Sequence, residues 1–173
     1  MDFTLQTKRL LMRKIQVEDK DYLLRMYQNP LVNATYICDS LQTDEAVTKF
    51  VERMANFEYD GKTYLWILEY EGRPIGMLNT FLSHDDSSTI EIGYAVDSPY
   101  WNQGFATEAL VAAIDYLLKN TEYHKIQCSH FLSNVASKRV MEKANMIYEG
   151  VRQEVFFFRG EYHSLGYYYV IRK

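Results

Sequence analysis

The run Tyr100-Trp101-Asn102-Gln103-Gly104-Phe105-Ala106-Thr107 joins a β-rich stretch to one of helical periodicity, and its residue types suit one kind of ligand. A helix start leaves backbone N–H groups without intrahelical acceptors and carries about half a positive charge. A diphosphate placed there gains hydrogen bonds and a favourable dipole. Close approach of ligand to backbone requires small residues, which Gly104 and Ala106 supply, while the Thr107 hydroxyl adds a donor. The same residues also fit a plainer role, with Gly104 permitting a tight turn and Thr107 capping the helix. Rival phosphate motifs are incomplete. Gly61-Lys62-Thr63 has the tail of a P-loop, but Asn56 stands where the earlier glycine belongs and a predicted helix precedes it. No G-x-G-x-x-G occurs.

A second group lies further along. Asn134 and Ser137 stand three residues apart at a predicted helix start, so both side chains can face one side; simple capping by Asn134 is the alternative. Glu91 alternates with Gly93 and Ala95 on a predicted strand, which puts its carboxylate on their face, either as a proton acceptor or as a solvated surface group. Glu154, in the aromatic C-terminal stretch, is a second candidate base, and His163 reads as a structural residue beside a turn. Cys38 and Cys128 form no C-x-x-C pair and read as packed thiols. Cys128 and His130 share a strand face, but two ligands fall short of the three or four that zinc uses, so no metal is expected.

The elements that must position these groups follow from period and punctuation. Arg9 to Lys14 reads as a strand and Val17 to Gln28 as a helix ended by Asn29-Pro30. Thr43 caps a helix running to about Phe57, with Asp44 and Glu45 in its first turn. Strands Thr63 to Tyr70 and Ile75 to Leu82 flank the turn Glu71-Gly72-Arg73-Pro74, and a loop Ser83 to Ser87 leads to strand Thr89 to Val96. A helix from Gly104 to Lys119 presents Ala109, Leu110, Ala113, Ile114 and Leu117 on one apolar face. Strand Lys125 to Phe131, a helix from Val135 to Ala144 and two aromatic strands broken at Arg159-Gly160-Glu161 complete an α/β chain with a mixed sheet. In the unit from Thr89 to Phe131, a parallel crossover places its first loop at the carboxyl end of a strand, where ligands of open α/β sheets bind.

The 173 residues suffice for one domain over 1–173, with no linker or repeat to divide it. Hydrophobic residues at 47% and charged residues at 24% exclude a disordered chain. Aromatic residues reach 15%, and core packing is their expected role. The net charge of −4 lacks the basic footprint of a nucleic-acid binder, so no nucleic acid is expected. Met1 to Arg13 has no apolar signal core and no 18-residue apolar run occurs, so no membrane association and a cytoplasmic location are expected, with the sequon Asn33-Ala34-Thr35 fortuitous.

The run Glu91-Ile92-Gly93-Tyr94-Ala95-Val96, then Pro99, then Trp101 to Ala109, resembles the acetyl-CoA signature of the GNAT N-acetyltransferases, especially the RimJ/RimL type. The superfamily pattern is Arg or Gln, two variable residues, Gly, one variable residue, then Gly or Ala. Trp101 takes its first position, a departure common in that branch. Leu5 to Leu11 with Arg13 is similar to the branch's opening strand, Asn134 to Lys143 to its later cofactor-contacting helix, and Tyr148-Glu149-Gly150 and Gly160 to His163 to its closing strands.

The resemblance implies a GNAT-like mixed, mostly antiparallel sheet flanked by helices, with acetyl-CoA as cosubstrate. It implies that backbone at Tyr94, Ala95 and Val96 holds the pantetheine arm and thioester. Asn102, Gln103, Gly104, Phe105, Ala106 and Thr107 would hold the pyrophosphate, Asn134 would contact coenzyme A, and Ser137 would lie near its sulfur. Acetyl transfer to an amine needs an unprotonated amine, a polarised carbonyl and a proton for the leaving thiolate, and no covalent nucleophile. An N–H of the strand ending at Val96 can face the thioester oxygen if the ladder is interrupted there; Ser137 is then the proton donor and Glu91 the base. The acceptor is a primary amine, either a peptide N terminus or a small molecule such as a polyamine, amino sugar or amino acid, with Leu31 to Tyr59 and Phe156 to Tyr162 lining its cleft. Rival readings are an acyl-CoA-binding module without turnover and a nucleotide-binding domain. Oligomeric state stays open, a homodimer by strand or helix pairing being common for such folds.

Overall fold

The computed structural model describes residues 3–37, 39–57, 62–83 and 88–173. Cys38, Tyr59, Gly61 and most of the Ser83 to Ser87 loop therefore lie outside the described residues. Eight strands form one sheet: β1 (Leu5–Gln6), β2 (Leu10–Lys14), β3 (Leu65–Tyr70), β4 (Arg73–Leu82), β5 (Thr89–Val96), β6 (Lys125–Phe131), β7 (Ile147–Phe158) and β8 (Glu161–Ile171). Their order is β1-β2-β3-β4-β5-β6-β8-β7. Among the described residues only β5 and β6 pair in parallel, the geometry that needs a crossover helix. The helices are α1 (Lys20–Gln28), α2 (Pro30–Asn33), α3 (Asp44–Ala55), α4 (Phe105–Asn120) and α5 (Val135–Lys143).

Two apolar clusters sit on opposite faces of the sheet. On one, Phe105, Ala109, Leu110, Ala113, Ile114 and Leu117 of α4 and Met141 of α5 pack on Leu10, Trp66, Leu78, Ile92 and Ile126. All five apolar positions expected for α4 are buried, each stabilising by roughly 1–3 kcal/mol for the larger side chains. On the other face, Tyr22, Leu23, Met26 and Tyr27 of α1 and Val47 and Val51 of α3 pack on Ile67, Met77 and Ala95.

Several element ends differ from the sequence reading for identifiable reasons. Residues 17–19 form a separate tight turn, with α1 starting at Lys20. The Asp19 carboxylate is held by both terminal nitrogens of Arg13 at 2.8 Å and by the Gln16 N–H at 2.8 Å. Pro30 opens α2 as well as ending α1, because Asn29 accepts from the Leu31 N–H and proline suits a first helical position. Thr43 caps α3 through the Ala46 N–H as expected, but that helix stops at Ala55. The β3–β4 connection is Glu71-Gly72 alone, both with positive φ, a primed turn whose twist matches the strands and leaves Arg73 and Pro74 inside β4. Arg159-Gly160 does the same between β7 and β8, so Glu161 belongs to β8.

Candidate active site

The β5–β6 ladder has only three register pairs, Thr89↔Lys125, Ile90↔Ile126 and Glu91↔Gln127. Beyond Glu91 the two strands diverge, each held by its other neighbour: β5 stays paired to β4 as far as Val96, and β6 to β8 as far as Phe131. Thr89 and Asp97 exchange backbone bonds with the β4 side, through the Ser83 N–H and the Ile75 carbonyl. By alternation, Tyr94 and Val96, beyond the last bridge, present their N–H groups to the opened side. The two strands therefore part beyond Glu91 and leave a slot between them, the interrupted ladder that the sequence reading required.

At the carboxyl end of that slot the loop folds back on β5. Asp97 accepts from the Ser98 N–H at 2.8 Å and opens a tight turn over residues 98–100, and the Trp101 indole N–H donates to the Val96 carbonyl at 2.6 Å. Asn102 has φ 61° and Gly104 φ 83°, so the chain makes two left-handed steps before α4. Gly104 occupies the cap position with no side chain bonded to the first turn. This decides against Thr107 as the cap and leaves the first N–H groups without intrahelical acceptors. A Cβ at Gly104 would meet only the Arg9 guanidinium, at 3.5 Å. Asn102 and Gln103 are exposed, Ala106 and Thr107 partly so; the Phe105 ring is in the core against Tyr70, which leaves its N–H as the group it can offer.

Beside this start lies the turn between β1 and β2. Arg9 donates through its Nη1 to the Gln103 carbonyl at 2.9 Å, through its Nε to Glu108 at 2.7 Å, and stacks over the Phe105 ring at 4.2 Å. Thr7 Oγ1 and the Arg9 N–H also donate to Glu108, at 2.7 and 2.8 Å. Burial pushes the Glu108 carboxyl up, but the bonds from Thr7 and Arg9 outweigh it and hold the group below its ordinary value. A groove of about 520 Å³ runs from Gly104, Thr107 and Glu108 to Lys143.

On the α4–α5 face, Asn134 caps α5 by accepting from the Ser137 N–H at 3.0 Å, which uses its Oδ1 and not its amide nitrogen. Ser137 Oγ and the Tyr94 hydroxyl lie 2.8 Å apart, a pair that the sequence reading missed because it gave Tyr94 only a backbone role. Burial raises the Tyr94 phenol well above its ordinary range, so it acts as a neutral hydrogen-bonding group. Cys128 is buried nearby and its thiol is likewise pushed up by burial, as fits a packed residue. The His130 ring packs on Tyr168, and its Nδ1 pairs with the Phe131 carbonyl at 2.7 Å.

Glu91 is on the opposite face, with Gly93 and Ala95, and so is not in contact with Ser137. Gln127 Nε2 donates to one of its oxygens at 2.8 Å and Ser129 Oγ to the other at 2.6 Å. Neither partner was identified from the sequence, although both lie on strand β6 at the two-residue spacing that shares a face. Asn79 stands across from Gly93 and binds the Tyr36 hydroxyl at 3.2 Å; a Cβ at Gly93 would come within 3.0 Å of the Asn79 Oδ1. Phe131, Phe156, Phe158 and His163 form an aromatic group beside these residues. His163 Nε2 bonds the Phe158 carbonyl at 3.1 Å, in keeping with a structural role. Arg159, at the β7–β8 tip, reaches across to Asp39, with its Nε 2.9 Å from the carboxylate, and to Asn33. Glu154 is exposed on a bulge of β7, the outermost strand, three strands from Glu91. That removes it from the slot.

A sheet split between one parallel pair, with a left-handed glycine and an open helix start at its mouth, defines an acyl-coenzyme A-dependent transferase. The chain matches the acetyltransferase (GNAT) domain over residues 9–147. It is similar to the uncharacterized N-acetyltransferase YnaD of Bacillus subtilis (strain 168), with 31% identity over 87% of this chain and 84% of that one. It is also similar to the ribosomal-protein-serine acetyltransferase of Escherichia coli (strain K12), with 23% identity over 86% and 87%. A GNAT-family acetyltransferase from Bacillus anthracis superposes with a TM-score of 0.85 at 25% identity, covering 98% of each chain. RimL, a ribosomal L7/L12 alpha-N-protein acetyltransferase in complex with coenzyme A, shares the fold with a TM-score of 0.83 at 18% identity and the same coverage. The chain belongs to the GNAT acetyltransferase family and is an N-acetyltransferase.

Proposed function

We propose that the protein moves the acetyl group of acetyl-CoA directly to a primary amine, and that the amine is the N terminus of a peptide or protein. The observation that carries the reading is the slot between β5 and β6, which has the Tyr94–Ser137 hydroxyl pair on one face and the Glu91–Gln127–Ser129 group on the other. Residues 102–107 bind the diphosphate through backbone N–H groups, and the β5 edge from Tyr94 to Val96 lines the pantetheine arm and points an N–H at the thioester oxygen. Asn134 offers its amide nitrogen to the same arm. The acceptor enters from the Glu91 face, past Asn79 and the aromatic group. Glu91 takes a proton from the attacking amine, the nitrogen–carbon bond forms, the carbon–sulfur bond breaks, and Ser137, held by Tyr94, supplies a proton to the departing sulfur.

The peptide reading is supported by the similarity to ribosomal-protein acetyltransferases. One domain acting in a reducing, cytoplasmic setting fits the buried thiol of Cys128. The test is release of free coenzyme A from acetyl-CoA with a mixed panel of N-terminally free peptides, polyamines, amino sugars and amino acids, read alongside mass spectrometry of the products. Peptides carrying a new N-terminal acetyl group support the reading. Acetylated small amines with no acetylated peptide would refute it.

A further inference from the structure

The tie between the β1–β2 turn and the start of α4 is unusual in its charge. Glu108 stands in the first turn of α4, one residue beyond Thr107, and its side chain lines the groove that begins at Gly104. Helix dipoles favour an acid there, but a diphosphate bound to the same turn is repelled by it. Arg9 is placed against both halves of that conflict. Its Nε is 2.7 Å from the Glu108 carboxylate, its Nη1 holds the Gln103 carbonyl, and its Nη2 is the nearest atom to the space above Gly104. Phe105, buried beneath it, fixes the guanidinium by ring stacking.

We infer that Arg9 is a coenzyme-binding determinant, which orders the loop 102–104 through Gln103 and cancels the charge of Glu108 so that a diphosphate can occupy the helix start. This rests on the proposed function. The two effects separate by sign. A brace that only maintains the fold would weaken coenzyme binding whichever partner is removed. A charge lock predicts that removing Arg9 weakens binding, that removing the charge of Glu108 strengthens it, and that the double change largely cancels. In Glu108→Gln the amide oxygen still accepts from Thr7 and from the Arg9 N–H, the amide nitrogen no longer accepts from the Arg9 Nε, and the separate Nη1 bond of Arg9 to the Gln103 carbonyl is left in place.

Calorimetric titration with coenzyme A, with circular dichroism on the same samples, tests this in the full chain. Arg9→Ala is expected to raise Kd about tenfold, the size of one uncompensated charge at this range. Glu108→Gln is expected to lower Kd a few-fold, and Arg9→Ala with Glu108→Gln to return to within about threefold of the original protein. If Arg9→Ala fails to fold, the Glu108→Gln titration decides alone, since its sign is opposite for a brace. An Arg9→Ala protein binding within twofold of the original, or a Glu108→Gln protein binding more weakly, would overturn the inference while leaving the proposed function standing. An original protein that takes up no coenzyme A would overturn both.

Discussion

Gly104 is where a single substitution separates backbone strain, steric exclusion and charge. Its φ of 83° is a conformation that L side chains rarely adopt, and Asn or Asp tolerate it better than Ala. Gly104→Asn and Gly104→Asp therefore impose nearly the same strain, about 1 kcal/mol, or a Tm lower by roughly 2–4 °C for a chain of this size. The two side chains are also alike in shape, so each closes the space over the helix start to the same extent. They differ in charge. A carboxylate about 6 Å from a phosphate charge, at an effective dielectric of about 20, costs about 2.8 kcal/mol, or about a hundredfold in Kd. Screening at this exposed loop, and the Arg9 guanidinium only 3.5 Å from the new Cβ, reduce that toward tenfold. Gly104→Asp should thus bind acetyl-CoA ten- to a hundredfold more weakly than Gly104→Asn, and both more weakly than the original, while both remain folded. Circular dichroism and calorimetric titration on one preparation give both readings. A folded Gly104→Asp protein that binds acetyl-CoA as tightly as Gly104→Asn would refute the placement of the diphosphate at this helix start.

Removing the Ser137 hydroxyl should lower kcat about 10²-fold with little change in acetyl-CoA affinity, and Tyr94→Phe should reproduce part of that loss because the 2.8 Å bond that holds Ser137 is gone; steady-state kinetics with direct binding measurements checks both. Glu91→Gln should lower the rate 10²- to 10⁴-fold with acetyl-CoA affinity little changed, and an unchanged rate would remove Glu91 as the base. Asp19, 3% exposed and bonded to Arg13 and the Gln16 N–H, is structural: Asp19→Ala should cost about 3–5 kcal/mol by leaving Arg13 partly buried and half-paired, which urea unfolding would measure.

Periodicity located α1, α3 and α4 because each of them buries one face. The α4 stripe from Ala109 to Leu117 is the clearest case, since those side chains have no other environment open to them. The element ends were less legible, because they are set by long-range partners. Asp19 interrupts a helical pattern through Arg13, which lies on another element, together with the Gln16 N–H. The loop before α4 was more legible because Gly104, Asn102 and the Trp101 bond to Val96 shape it within a few residues, with Arg9 as its long-range brace at Gln103. Gln127 and Ser129 escaped notice because a polar residue on a strand declares its partner only through sheet register, and the β5–β6 register is set by the crossover that joins them.

The Tyr94–Ser137 pair connects the opening of the slot to its chemistry. Tyr94 lies on β5 at the level where the ladder to β6 has already ended, and its ring packs against the cluster beneath α4 and α5 while its hydroxyl reaches the first turn of α5. Paired strands stand about 4.8 Å apart, which leaves no room between them for a pantetheine arm. A strand pair that stays closed to its end would also return the N–H groups of Tyr94 and Val96 to the ladder and remove the donors that an oxyanion needs. Under the proposed function, separation of the strands is therefore one structural feature with two consequences, an entry for the thioester and N–H groups released from the ladder to face it. The cap formed by Asn134 then fixes Ser137 at the edge of that entry, bonded to a phenol that stays neutral. Under the proposed function, the hydroxyl that meets the departing sulfur would be anchored by the strand whose backbone polarises the carbonyl.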